Sequence, residues 1–112
     1  MILTDTGIKG IRGTFGEVEK AMLKAGFVRW SWDYGKANFD MKFSNEESDY
    51  YLRIQVHVTQ GALESPKARV ELDKPIFVRH IFPHGLDDDT AIPEAFQEKI
   101  DTAIGAIKED LS

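Results

Sequence analysis

The sequence contains no cysteine, which excludes disulfide bonds, thiolate zinc sites and thiol nucleophiles. It also has no run of about 20 apolar residues, the length that a helix needs to cross a bilayer, and its first residues do not read as a secretion signal. Basic residues are not in excess, because 14 lysines and arginines stand against 19 aspartates and glutamates. These absences predict a cytoplasmic protein that binds neither membranes nor nucleic acid.

The length and the charge distribution predict one domain, residues 1–112, with an acidic C-terminal part. A chain of 112 residues should bury roughly two-thirds of its unfolded surface, so a stable core requires no disulfide or metal. The net charge is −5, and it is uneven, since eight acidic residues and two lysines lie between Gly85 and Ser112. The preceding part of the chain is therefore nearly balanced in charge.

Two amphipathic helices are predicted, one near each end of the chain. Thr14 precedes Glu17 by three residues, the spacing of a capping box, and Gly26 suits the left-handed residue that often ends a helix. The first helix is therefore expected over residues 15–25. The second is expected over residues 93–111, because a proline suits its first turn and apolar residues recur at helical spacing. Those residues are Phe96, Ile100, Ala103, Ile104, Ile107 and Leu111.

The region between the helices alternates between apolar and polar residues, which predicts β-strands. Segments 28–34, 37–43 and 50–58 alternate most regularly, and segments 68–72 and 76–82 follow them. Short connections between consecutive strands favour antiparallel pairing. With a short N-terminal strand added, the predicted fold is α+β, with two layers. It has an antiparallel sheet of about five or six strands, with both helices on one face.

The alternation also assigns side chains to the two faces of the sheet. Trp30, Trp32 and Tyr34 share a face with Val28, and this face is predicted to lie in the core rather than to form a stacking platform for bases. The opposite face is predicted to carry mixed charge. Its expected members are Arg29, Ser31, Asp33, Asn38, Asp40, Lys42, Arg53, Gln55, His57, Arg69 and Glu71.

The segment 76–82 differs from the other strands because it is apolar on both faces. Ile76, Val78 and His80 are expected to face inward, and Phe77 and Ile81 are expected to face outward. An outward apolar side chain is usually covered by another element or by a second subunit. Phe77 and Ile81 are therefore the candidate residues for self-association, and a homodimer is the expected assembly.

The segment "HIFPHGLDDD", which starts at His80, contains the densest group of polar residues. Imidazole and carboxylate together suit zinc, manganese or iron, but histidines four positions apart meet only on a helix, and Pro83 opposes one here. Acidic residues just before a helix are favoured by its dipole and can cap it, so this role is preferred for the aspartates. A core position is preferred for His80.

Several stretches resemble a known family: "AGFVRWSWDY", "NFDMKF", "YYLRIQV", "GALESPKARVELDKPIFVRHIF" and "GLDDD". They are similar to the YugN-like family, small uncharacterised proteins of Bacillus-type bacteria, from about Phe15 to the C-terminus. The resemblance implies a shared fold and a bacterial cytoplasmic setting. It implies no activity, cofactor or catalytic residue. The polar residues of its most specific run are Glu64, His80, Asp87 and Asp88.

Two functional hypotheses follow from the sequence. No nucleophile elbow and no phosphate-binding loop occurs, so neither a catalytic residue nor a cofactor is predicted. The leading hypothesis is a non-enzymatic interaction or binding module that self-associates. The alternative is an enzyme or a protein that binds a metal or a small ligand. Its candidate ligands are His80, His84, Asp87, Asp88 and Asp89. His57, which is expected to be solvated on the polar face, and Glu64 are further polar residues to test.

Overall fold

The computed structural model describes residues 1–32, 35–63, 65–81, 85–87 and 89–111, without the side chains of residues 31 and 32. Within these ranges the predicted α+β fold is confirmed. The described part of the sheet has seven strands, because a three-residue strand too short to show alternation follows the predicted ones. The elements are β1 (Arg12–Thr14), α1 (Phe15–Ala25), β2 (Val28–Trp32), β3 (Lys36–Ser44), β4 (Asp49–Gln60), β5 (Arg69–Leu72), β6 (Ile76–Ile81), β7 (Gly85–Asp87) and α2 (Glu94–Leu111).

The long strand β4 organises the antiparallel sheet. On one side it pairs with β3 along the whole of β3, from Lys36 opposite His57 to Ser44 opposite Asp49. On its other side it pairs with β6 through its first half and with β5 through its second half. The short strands β1 and β7 extend the sheet beyond β5 and β6. One strand of 12 residues therefore holds three neighbours in register.

The local sequence determines where α1 begins and ends. The Thr14 hydroxyl accepts a hydrogen bond from the Glu17 amide at 3.2 Å, and the Glu17 carboxylate accepts one from the Thr14 amide at 3.3 Å. Gly26 ends the helix with φ 103°, a conformation that costs little for glycine alone. Both predicted signals are confirmed. Neither described helix combines the length and the apolar character that crossing a bilayer requires.

The two helices pack on one face of the sheet and enclose the core with it. Strands β3 and β4 contribute alternate residues, while α1 and α2 contribute their apolar stripes. The other face carries no helix in the described part of the chain, and we call it the outer face. The buried core residues are Ile8, Phe15, Val18, Met22, Phe27, Ala37, Phe39, Met41, Phe43, Tyr50, Leu52, Ile54, Val56, Leu63, Ala68, Val70, Leu72, Phe77, Ile100, Ala103, Ile104 and Ile107.

The predicted orientation of β2 is wrong for Val28 and Trp30. The strand register places Arg29 opposite the core residue Phe39, so Arg29 lies on the helix face, with its guanidinium 5.7 Å from the Phe15 ring centroid. Val28 and Trp30 are 56% and 66% exposed on the outer face. The register shifts between Arg29 and Ser31, because a bulge at an edge strand interrupts the alternation. The predictions for the Trp32 and Tyr34 side chains lie outside what the structure describes.

The predicted orientation of β6 is reversed. Phe77 lies opposite Leu52, is fully buried, and stacks on Tyr50 with ring centroids 5.5 Å apart. Ile76, Val78 and His80 therefore face outward. The alternation pattern of β6 did not show which face is buried, because both faces are apolar. Burial of the large Phe77 ring removes more apolar surface from water, which favours the observed orientation. Phe77 is thus unavailable for self-association, and Ile81, on the same face as Phe77, is half-buried.

Gly105 lies exposed in the middle of α2, and a methyl group added there would meet no atom within 4 Å. Glycine inside a helix is about 1 kcal/mol less favourable than alanine. Gly105→Ala should therefore raise the free energy of unfolding by about 0.5–1 kcal/mol, measured by urea denaturation. Gly26→Ala is the opposite control, since its positive φ should make alanine destabilising. A loss of stability in Gly105→Ala would contradict the open space around this residue.

Candidate binding surface on the outer face

The outer face carries exposed apolar side chains, which we call the outer apolar group. Each member is between 45% and 66% exposed. Strand pairing puts three of them opposite residues of the outer face, while Trp30 occupies the bulge of β2. Several large apolar side chains exposed on one face make that face a candidate interaction surface. The members are Ile2, Val28, Trp30 and Leu86.

A groove of about 310 Å³ lies on this face between Trp30 and Leu86. Tyr51 and His80 also line it, with their ring centroids 6.5 Å apart and their planes at 59°. The groove is therefore bounded mainly by aromatic and aliphatic side chains. Its charged lining residues are Asp40 and Arg53.

Asp40 and Arg53 form a bidentate ion pair beneath the groove. They are opposite one another in β3 and β4, with Nε to Oδ1 at 2.8 Å and Nη2 to Oδ2 at 2.9 Å. The Asp40 side chain is 4% exposed and that of Arg53 is 23% exposed. Hydrogen bonding to the Asp40 carboxylate raises the pKa of Arg53 above its ordinary value. Two parallel bonds hold the guanidinium in one orientation, and the charges cancel.

Further polar pairs continue along the outer face beside Arg53. Nε2 of the Gln55 side chain donates to Oδ1 of Asn38 at 3.1 Å, and His57 Nε2 lies 3.2 Å from Asp73 Oδ2. The Lys74 amide, and secondly His57, lower the pKa of Asp73. His57 is thus half-buried and paired with a carboxylate, rather than simply solvated. The outer face has polar pairs at its centre and apolar side chains around them.

Of the predicted metal ligands, the structure describes His80, Asp87 and Asp89, and it does not bring these three together. His80 is half-buried on the outer face, so the predicted core position is wrong, whereas Asp87 lies opposite Arg79 on the helix side. The Asp87 carboxylate accepts from the Asp89 amide at 3.0 Å instead of capping α2, which begins later, at Glu94. Among the described residues no group of three or more acidic or histidine side chains could hold a metal ion. His84, Asp88 and Glu64 lie outside the described residues.

A larger cleft, of about 480 Å³, lies between residues 1–6 and α2. Ile100 and Ile104 line it together with Asp101 and Lys108, both of which are exposed to solvent. Exposed charges of opposite sign are strongly screened and define no particular ligand. The cleft is therefore a weaker candidate than the groove, despite its greater volume.

Sequence reasoning missed the main features of this surface. It placed Trp30 in the core, and it listed Asp40 and Arg53 on the polar face without pairing them. The Asp40–Arg53 pair could have been predicted from the sequence. The short loop after Ser44 sets the register between β3 and β4, and this register places Asp40 opposite Arg53. The exposure of Trp30 had no comparable signal, since it depends on the bulge.

Fold and surface together define a two-layer α+β protein that carries both described helices on one face of an antiparallel sheet. The chain belongs to the YugN-like family, whose model matches residues 4–106. The predicted family resemblance is therefore confirmed.

Two relatives and one solved structure support this assignment. The uncharacterized protein YlbA of Bacillus subtilis is 30% identical over 110 residues, covering 97% of this chain and 90% of YlbA. The uncharacterized protein YugN of Bacillus subtilis is 32% identical over 89 residues, covering 79% of this chain and 66% of YugN. A crystal structure of YugN from Geobacillus kaustophilus matches with a TM-score of 0.86 and 28% identity, over 99% of this chain and 94% of that one. These comparisons support the family and the fold and bring no activity with them.

Proposed function

We propose that this protein is a non-enzymatic binding module that self-associates through the outer face of its sheet. The observation that carries the proposal is the outer apolar group, with Trp30 66% exposed. Tryptophan is among the residue types most enriched at the energetic centres of protein interfaces. The proposal keeps the cytoplasmic setting that the sequence predicts, and it replaces Phe77 by Trp30 as the contact residue.

The charge distribution favours a second copy as the partner. The chain as a whole carries a net charge of −5, but its acidic excess lies at and just before α2. On the outer face, Asp40 pairs with Arg53, and Lys42 lies 3.6 Å from Asp49. A two-fold interface places one surface against itself, so a surface of one charge sign would repel its copy. The internally paired charges of the outer face avoid that repulsion.

The outer face is also large enough for a stable dimer. The molecule measures 41 × 29 × 21 Å. A two-layer protein is expected to be thinnest across its sheet and helix layers. The outer face therefore extends along the two longer dimensions. A standard interface buries about 800 Å² on each partner, which a face of this extent can supply.

The edge of the sheet is a poorer site for self-association than its face. The strand β2 lies at the end of the strand order, and its ladder is interrupted by the register shift after Arg29. Bulges of this kind discourage a second chain from adding to a sheet edge. The same bulge places Trp30 on the outer face, so it favours contact between faces.

Sedimentation velocity over a concentration series tests the proposal. The wild-type chain should show a monomer–dimer equilibrium, and Trp30→Ser should weaken it by about tenfold or more, the loss expected for a central interface residue. Val28→Ser should also weaken dimerisation. Leu23→Ser is the matched control, because Leu23 is 53% exposed but belongs to α1 on the opposite layer.

Two results would count against self-association through this face. One is a wild-type chain that stays monomeric at every concentration reached. The other is dissociation by Leu23→Ser as strong as that by Trp30→Ser, which would place the contact on the helix layer or make it nonspecific.

A further inference from the structure

We infer that the groove between Trp30 and Leu86 binds a small planar aromatic molecule that carries a hydrogen-bond acceptor, such as a carboxylate or a carbonyl group. This inference goes beyond self-association and does not require it. It rests on the shape and the chemistry of the groove lining.

The walls of the groove suit a flat ring. The exposed Trp30 indole forms one side, and the tilted rings of Tyr51 and His80 line the groove together with the Leu86 side chain. Aromatic ligands gain from stacked and edge-to-face contacts with such rings, beyond the apolar area that they bury. The volume of about 310 Å³ lies at the lower end of the range for small-molecule sites. A ligand of one or two rings fits this description.

The polarity of the ligand follows from Arg53. A guanidinium has five N–H donors, and two of them are bonded to Asp40. The residues that the structure describes form no other hydrogen bond to this guanidinium, so three of its donors are not used by them. Asp40 already holds the group in place, and binding therefore requires little further ordering of the side chain. A planar acceptor such as a carboxylate matches this geometry.

The Asp40–Arg53 pair disfavours ligands that carry a hydrogen-bond donor or a positive charge. The Asp40 carboxylate is 4% exposed and both of its oxygens are bonded to Arg53, so it offers little to a donor or a cation. A cationic ligand would instead meet the positive guanidinium. The groove should therefore separate ligands that share a ring system but differ in polar group.

Three probe compounds test separately whether the ligand needs a planar aromatic ring and whether it needs a hydrogen-bond acceptor. 2-Naphthoate has a planar ring and an acceptor, cyclohexanecarboxylate has the acceptor without the planar ring, and 2-naphthylmethylamine has the ring with a cationic donor. We expect 2-naphthoate to bind at least about tenfold more tightly than either of the others. Calorimetry measures the affinity, and the Trp30 indole N–H signal in ¹H–¹⁵N spectra, assigned with Trp30→Phe, reports the location.

Substitutions in the groove test the assignment of roles. Trp30→Leu should weaken 2-naphthoate binding by about tenfold, whereas Trp30→Phe should stay within about threefold because it retains a ring. Arg53→Lys should also cost about tenfold, since it keeps a positive charge beside Asp40 but loses the planar fork. Arg79→Lys is the matched control, because the Arg79 side chain bonds to Ser48 and does not line the groove. Thermal melts confirm that each variant is folded.

The experiment is performed in wild-type protein and in Val28→Ser, which retains every lining residue and should self-associate more weakly. Binding of 2-naphthoate by both proteins, with the stated order of probes and variants, supports the inference whether or not a dimer forms. Absence of 2-naphthoate binding in both folded proteins overturns it. Equal binding of cyclohexanecarboxylate, or an equal loss in Arg79→Lys, also overturns it.

Discussion

Phe77→Ala should lower the free energy of unfolding by about 3–5 kcal/mol, whereas Trp30→Ala should change it by less than about 0.5 kcal/mol. Phe77 is fully buried, and its ring lies 5.5 Å from that of Tyr50 and 6.3 Å from that of Phe43. Its truncation would leave a cavity in a packed core. Trp30 is 66% exposed, so its removal leaves no cavity. Urea denaturation followed by circular dichroism at low micromolar concentration measures both.

Low protein concentration matters here because dimerisation would add stability to the folded state and would make Trp30→Ala look more harmful than it is. Phe77→Leu is the graded control, since a smaller change in volume should cost less than about 1.5 kcal/mol. If the alternation of β2 and β6 alone determined which residues are buried, Trp30→Ala would lower the free energy of unfolding more than Phe77→Ala. That result would show that the faces of β2 and β6 are assigned wrongly.

Arg53→Met should destabilise the protein by about 3 kcal/mol, and Asp40→Ala by about 2 kcal/mol. Each substitution leaves the other charge without its partner. The loss should be greater for Arg53→Met, because the stranded Asp40 carboxylate is 4% exposed and cannot be hydrated, whereas Arg53 is 23% exposed and reaches water. Chemical denaturation of both variants measures the difference.

The double variant distinguishes an ion pair from two independent polar residues. Asp40→Ala combined with Arg53→Met should lose less stability than the sum of the single changes, with a coupling of about 2 kcal/mol. Lys42→Ala is the comparison, since Lys42 and Asp49 are 58% and 42% exposed and such pairs contribute less than about 1 kcal/mol. Additive losses at Asp40 and Arg53 would show that the short distances between them do not contribute to stability.

The helices and the central strands could be predicted because their signals are local. The capping box of Thr14 and Glu17 and the left-handed Gly26 act within a few residues, so α1 was placed correctly at both ends. The central strand β4 alternates between partly exposed and buried residues from Asp49 to Val56, and its residue Ile54 is fully buried as predicted. In these elements each local preference agrees with the packing of the whole molecule.

The candidate binding surface could be predicted only in part. The alternation pattern correctly predicted Asp40 and Arg53 on the outer face. The register of β3 and β4 places them opposite one another, with Arg53 Nε 2.8 Å from Asp40 Oδ1. Trp30 was misplaced because one extra residue in β2 changes the face of the side chains beside it. His80 was misplaced because β6 is apolar on both faces, so the pattern allowed either orientation.

The α+β class, the ends of α1, the alternation of the central strands and the family of the chain could all be inferred from the amino-acid sequence. These features follow from hydrogen bonds and hydrophobic periodicity within short segments. The side of β2 and of β6 that faces the helices became clear from the folded molecule, in which Trp30 rather than Phe77 is exposed. The reason is that the orientation of an edge or a doubly apolar strand depends on pairing and packing with residues far away in the chain, and these contacts have no signature within the strand itself.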